Sequence, residues 1–123
     1  MNMAHRLYAQ PPQDLQSPRN VEYALLGRVT QRLCAAWDRR EEDFVALARA
    51  VSDNDRLWMA LAADVAVSSN GLPAPLRAGV LYLARFSEIH GRKVLDGTGD
   101  ITVLIDVNTA VMRGLRGAQE GPK

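Results

Sequence analysis

Val51-Ser52-Asp53-Asn54-Asp55-Arg56-Leu57-Trp58-Met59-Ala60-Leu61-Ala62-Ala63-Asp64-Val65, running on to Asn70-Gly71-Leu72-Pro73-Ala74-Pro75-Leu76-Arg77, is the stretch on which the fold turns. Its polar cluster at Asp53 to Asp55 reads as a helix start. Short oxygen-bearing side chains accept bonds from the first free N–H groups, and their negative charge suits that end of a helix. Leu57, Trp58, Leu61, Ala62 and Val65 then recur at helical spacing and predict a helix from about Asn54 to Val67. Ser69-Asn70-Gly71 marks a turn, and Pro73-Ala74-Pro75 a restart. Nothing here supplies a nucleophile, a metal cage or a phosphate cradle, so the stretch speaks of architecture and of a partner.

Working outward, Ser17-Pro18 opens a long helix, with serine at the cap and proline where its missing N–H costs nothing. Val21, Leu25, Val29, Leu33 and Trp37 repeat every four residues, with Leu26, Cys34 and Ala36 widening the stripe. Glu41, Glu42 and Asp43 form an acidic first turn for a helix whose inner face is Phe44, Leu47, Ala48 and Val51. A break is expected at Ser52 to Asp55, because such side chains compete for backbone bonds and favour caps. After Gly71, Pro75 starts a longer helix with Leu76, Val80, Leu83, Phe86, His90 and Val94 inward. Gly97-Thr98-Gly99 ends it. Asp100 caps a last helix, Ile101 to about Arg116, whose apolar face is Ile101, Leu104, Ile105, Val111, Met112 and Leu115. The fold class is all-α, one small bundle of about five helices. Its core is expected to include Leu25, Val29, Leu33, Trp37, Leu57, Trp58, Leu61, Val80, Leu83, Phe86, Leu104 and Val111.

Three segments follow from this reading. Residues 1–16 form an arm in which Met3, Ala4, Leu7 and Tyr8 have helical spacing until Pro11-Pro12 stops them. Residues 17–116 form the bundle, and 117–123, with Gly117 and Gly121, a flexible tail. A chain of 123 residues that is 47% apolar has enough material for one packed core. Its net charge of +1 argues against nucleic acid as the main partner, since phosphate binding leaves a clearly basic imprint. The single cysteine, Cys34, has no mate for a disulfide and is expected to be buried. Met1 to Gln10 lacks the apolar run of a secretory signal, and no stretch approaches the ~20 apolar residues of a membrane helix. A cytoplasmic protein is expected.

The inventory for catalysis is thin. His5 lies in the arm, and His90, on an apolar helix face, reads as a partly buried, satisfied residue before it reads as a base. Two histidines and one cysteine, scattered, give no zinc spacing. Asp53-x-Asp55 opens like a calcium loop, but Leu57 stands where an oxygen ligand belongs and the required glycine is missing. Gly97-x-Gly99 follows a helix and lacks the third glycine of a dinucleotide fingerprint. No catalytic residue, metal or cofactor is therefore expected. Arg77, Arg85, Arg92 and Lys93 make the outer side of the long helix basic, which reads first as a solvated face suited to the helix dipole.

Taken in order, Ser17-Pro18-Arg19 with Glu22 and Leu25-Leu26, Asn54-x-Arg56-Leu57-Trp58, Asp64-Val65, Leu72-Pro73, Leu76-Arg77, Leu104-Ile105-x-x-Asn108 and Gly114-Leu115 resemble the flagellar biosynthesis regulator FlaF family. The likeness runs from about Ala4 to Arg116, and it departs at Asp55, where that family commonly carries a second basic residue, and at His90-Gly91. The resemblance implies a small cytoplasmic helical protein of alphaproteobacteria, without enzyme activity, needed for flagellum assembly. It further implies a secretion chaperone or adaptor for flagellin, acting with FlbT, the regulator of flagellin synthesis.

A helical bundle suits that task, because amphipathic helices can be sheltered in a groove between its helices. The partner surface is expected at Leu7, Tyr8, Asn54, Arg56 and Arg77. The alternative is post-transcriptional regulation by direct binding to flagellin mRNA, which the basic strip alone supports. That strip lacks the interleaved aromatics that single-stranded RNA binding favours. A purely structural role in the basal body is a third reading.

Overall fold

The computed structural model describes residues 18–67 and 71–120. Among them are four helices and no strand: α1 (Pro18–Asp38), α2 (Phe44–Ala66), α3 (Ala74–Asp96) and α4 (Ile101–Glu120). The expected arm helix around Leu7 and Tyr8, and the Ser69-Asn70 half of the expected turn, lie outside the described residues. Each helix runs antiparallel to the next. Val65 and Arg77, then Val51 and Gly91, pair α2 with α3. Tyr23 with Arg116 and Thr30 with Asn108 bring α4 back beside α1, so the four helices close into an up-down-up-down ring.

Local chemistry sets the ends. Asp43 caps α2, its Oδ1 accepting the Ala46 N–H at 3.0 Å, so Glu41 and Glu42 belong to the preceding turn rather than to the first helical turn. α3 ends where Gly97 takes φ 88°, a left-handed conformation that glycine adopts without steric cost. The N–H groups of Thr98 and Gly99 both reach the Lys93 carbonyl at 2.9 Å. Asp100 then accepts the Thr102 N–H at 2.9 Å and starts α4 as its spacing predicts. α4 continues past Arg116 to Glu120. Gly114 does not end it: one glycine costs only about 1 kcal/mol, and this one sits against α3, where an added Cβ would lie 3.1 Å from Leu76 Cδ1.

The expected break at Ser52 to Asp55 does not exist. α2 runs unbroken from Phe44 to Ala66, so the two helices anticipated there are one, and the total is four instead of about five. The capping residues kept to the helix because the most inward of them, Asn54, finds a partner across the bundle and has no need to bend the backbone. Three single positions also differ. Leu25 is 36% exposed while Leu26 is fully buried. Residues four apart drift about 40° round a helix, so the run Val21 to Trp37 could not keep one face inward throughout. Phe44, at the first turn of α2, is 52% exposed, and the inner line there is Leu47, Ala50 and Val51. Cys34 is exposed, one step round α1 from the buried Leu33.

The core has two apolar ends. One gathers Leu26, Trp58, Leu61, Val80, Val111 and Leu115, and the other Val29, Leu33, Leu47, Val51, Val94 and Leu104. Leu57, half-buried, touches both; Trp37, Leu83 and Phe86 are half-buried at the margins. Between the ends lies a polar layer. Asn108 donates from Nδ2 to Asn54 Oδ1 at 2.9 Å and to Thr30 Oγ1 at 3.0 Å, while its Oδ1 accepts the Trp58 indole N–H at 2.8 Å. Asn54, Asn108 and the neighbouring-helix Ser87 are all fully buried. Gly91, unexplained by helix propensity, is the point where α3 closes on α2: a Cβ there would lie 3.0 Å from Val51 Cγ1.

Candidate functional site: the α2–α3 groove

Asn54 and Asp55 are neighbours on α2 whose side chains point about 100° apart. Asn54 turns into the polar layer, whereas Asp55, half-buried, borders a groove of about 280 Å³ between α2 and α3. Met59 and Ala62 continue the α2 wall, and Leu81, Ala84 and Glu88 form the wall opposite. Met59 is 69% exposed and Leu81 44%. Phe44, Ala48, Asp55, Met59 and Ala62 fall within about 60° of one another round α2, so the exposed Phe44 shares the face that the groove occupies. Single exposed apolar residues are ordinary, but Met59 and Leu81 face each other across one groove, which makes it a candidate interaction surface.

The electrostatics of the groove centre on Asp55. Burial, followed by the nearby Glu88 charge, pushes its carboxyl up to about 6, while Arg92 pulls the other way. Its Oδ1 has no hydrogen-bond partner among the described residues. That oxygen lies beside Gly91 of α3, 3.6 Å from where a Cβ there would stand, an ordinary contact distance. Arg92, which acts on it, and Arg85, on the groove wall, are both engaged elsewhere: Arg85 Nη1 and Arg92 Nη2 donate to Glu88 at 3.2 and 3.3 Å.

Two other clefts are less suited to a partner. The one between α1 and α2 is floored by Ala35, Ala36, Ala46 and Ala50, so it presents no large apolar side chain. The one between α1 and α4 is crossed by Arg116, which donates to the Tyr23 hydroxyl at 2.8 Å and covers its ring.

The expected partner residues scatter. Leu7 and Tyr8 lie outside the described residues. Asn54 is fully buried and holds the polar layer, so it offers no surface: its amide is drawn inward by Asn108. Arg56 is exposed on α2, beside the groove residue Asp55 in sequence. Arg77 reaches from α3 to the last turn of α2, its Nε donating to the Val65 carbonyl at 3.1 Å, and so ties two helices together. His90 is half-buried, stacked on Phe86 with ring centroids 5.8 Å apart, its Nε2 2.9 Å from the Asp100 carbonyl oxygen. The residues that sequence reasoning missed are Met59, Leu81 and the hub Asn108. Asn108 had a signal, as a polar side chain on the line Leu104, Val111, Leu115; Met59 had a fainter one, as a large apolar residue off the inner stripe.

Among the described residues no group of three or more His, Cys, Asp or Glu could hold a metal ion, and no helix is long and apolar enough to cross a membrane. Compared with known proteins, residues 4–115 match the model of a family described as Flagellar protein FlaF. No curated protein and no solved structure matches the chain.

Proposed function

The chain belongs to the FlaF family of flagellar proteins, and we propose that it is a cytoplasmic, non-enzymatic chaperone or adaptor that binds flagellin before export. In this reading it acts with FlbT, the regulator of flagellin synthesis. The observation that carries the proposal is the α2–α3 groove, where Met59 and Leu81 stay exposed on facing walls. A groove between two helices with apolar walls is what an amphipathic helix needs in order to hide its own apolar face. Direct binding of flagellin mRNA draws less support, because Arg85 and Arg92 are paired with Glu88 and Arg77 with a backbone carbonyl.

The test is co-purification with flagellin, using the full chain, the chain without residues 1–16, and Met59→Asp. Met59 is mostly exposed, so Met59→Asp should change unfolding free energy by less than about 0.5 kcal/mol yet abolish capture. Flagellin recovered with none of the three forms overturns the proposal. Capture unaffected by Met59→Asp but lost without residues 1–16 moves the surface to the arm that holds Leu7 and Tyr8. A gel-shift with flagellin mRNA that disappears in Arg85→Ala plus Arg92→Ala would favour the RNA reading instead.

A further inference from the structure

We infer that Asp55 is a charge-reading group: the α2–α3 groove takes an amphipathic helix that lays apolar side chains on Met59, Ala62, Leu81 and Ala84 and sets a lysine or arginine against the Asp55 carboxylate. This rests on the reading that the groove receives flagellin, and it specifies the chemistry of the segment received.

Asp55 is the carboxylate that the salt bridges of its cluster leave out. Asp55 is half-buried between two helices, and its Oδ1 is out of contact with water and without a hydrogen-bond partner among the described residues. A buried acceptor left unpaired costs free energy that the fold does not recover by itself. The charged groups acting on it stand on α3, the helix across the groove: Glu88, which repels it, and Arg92, which attracts it. Arg92 is committed to Glu88 at 3.3 Å, and so is Arg85, on the same groove wall, at 3.2 Å. The cluster therefore holds two carboxylates and two guanidiniums, but both guanidiniums serve one carboxylate. A cation delivered from the groove side gives Asp55 the pair that Glu88 already has twice. Apolar contacts on either side exclude water from that pair, which strengthens it over one on the open surface. An uncharged or acidic segment would instead leave the carboxylate newly covered and unpaired, so the same group that favours a cationic helix rejects the others.

The experiment measures binding of purified flagellin monomer to the intact chain and to Asp55→Asn, at pH 7.5 and at pH 5. Asp55→Asn should weaken binding about tenfold at pH 7.5, and the gap should close at pH 5, where the wild-type carboxyl takes up its proton. Lysines and arginines in flagellin's terminal helices are then changed singly to glutamine. One of them should reproduce the loss and show no additional loss when combined with Asp55→Asn, a coupling that a merely structural role for Asp55 would not generate. Urea unfolding run alongside should find Asp55→Asn no less stable than wild type, separating lost binding from lost fold. If Asp55→Asn binds like wild type while Met59→Asp abolishes binding, the inference is overturned and the groove reading stands. If flagellin binds no form of the chain, both fall.

Discussion

Asn54 and Asp55 differ by one residue and by almost everything else. Asn54 sits at the centre of the bundle, its amide oxygen bonded to Asn108, in a layer that also engages Trp58 and Thr30. Asp55 borders the outer groove with an oxygen that nothing in the described chain satisfies. The contrast separates two uses of buried polarity. A polar group bonded across the bundle helps to specify the fold even where, as at Asn54, its amide nitrogen stays unmet, because its bond to Asn108 fixes which helix faces which and in what register. An ionisable group held half-dry at the wall of a groove, as Asp55 is, keeps free energy in reserve for something that arrives from outside.

The inner half of the contrast is tested by the largest effects. Trp58→Ala removes the biggest fully buried side chain and the donor to Asn108, and should lower unfolding free energy by about 3–5 kcal/mol in urea titration. If Trp58→Ala melts like wild type, the layer is not structural and the division fails. Asn108→Ala comes next. It strands the Trp58 N–H and the Asn54 oxygen together, and a loss of about 2–4 kcal/mol is expected. Trp58→Phe, which takes away the donor and some of the buried ring volume, should cost less in an Asn108→Ala background than in wild type, because the bond it breaks is already gone there while the volume loss is common to both. Full additivity of the two would show that the hydrogen bond contributes nothing.

The two regions were unequally legible. The helices, the Asp100 cap and the Gly97 stop follow from local chemistry, since every partner involved lies within a few residues. So does most of the core, where the spacing of Val29, Leu33, Trp58, Leu61, Val80, Leu104 and Val111 found buried positions. Leu25 misled because a four-residue repeat rotates off any fixed face within a few turns. The unbroken α2 was hidden for a different reason. Whether Asp53-Asn54-Asp55 caps a helix or lies inside one depends on Asn108, 54 residues away, and no local rule reaches that far. The groove was the least legible of all. Its exposed Met59 and Leu81 come from separate helices, and no local spacing says which residues of α3 will stand opposite Asp55.

The outer half of the contrast is tested by a smaller effect of opposite sign, Asp55→Asn. In the folded chain the carboxyl titrates at about 6, raised mainly by burial, against 3.8 when free. Between those values the folded state holds a proton that the unfolded state has released, so wild-type stability falls as pH rises through the window. Below it the group carries no penalty; above about 6 the penalty is complete. Asparagine keeps the shape and does not ionise. Asp55→Asn should therefore match wild type near pH 3.5 and exceed it at pH 7.5, by on the order of 1 kcal/mol once solvent screening of a half-exposed group is allowed for. Thermal melts at the two pH values measure it. Equal stability at both would mean that the carboxylate is already satisfied in solution and has nothing to offer a partner. Wild-type superiority at pH 7.5 would mean more: that Asp55 belongs with Asn54 among the groups that hold the bundle together.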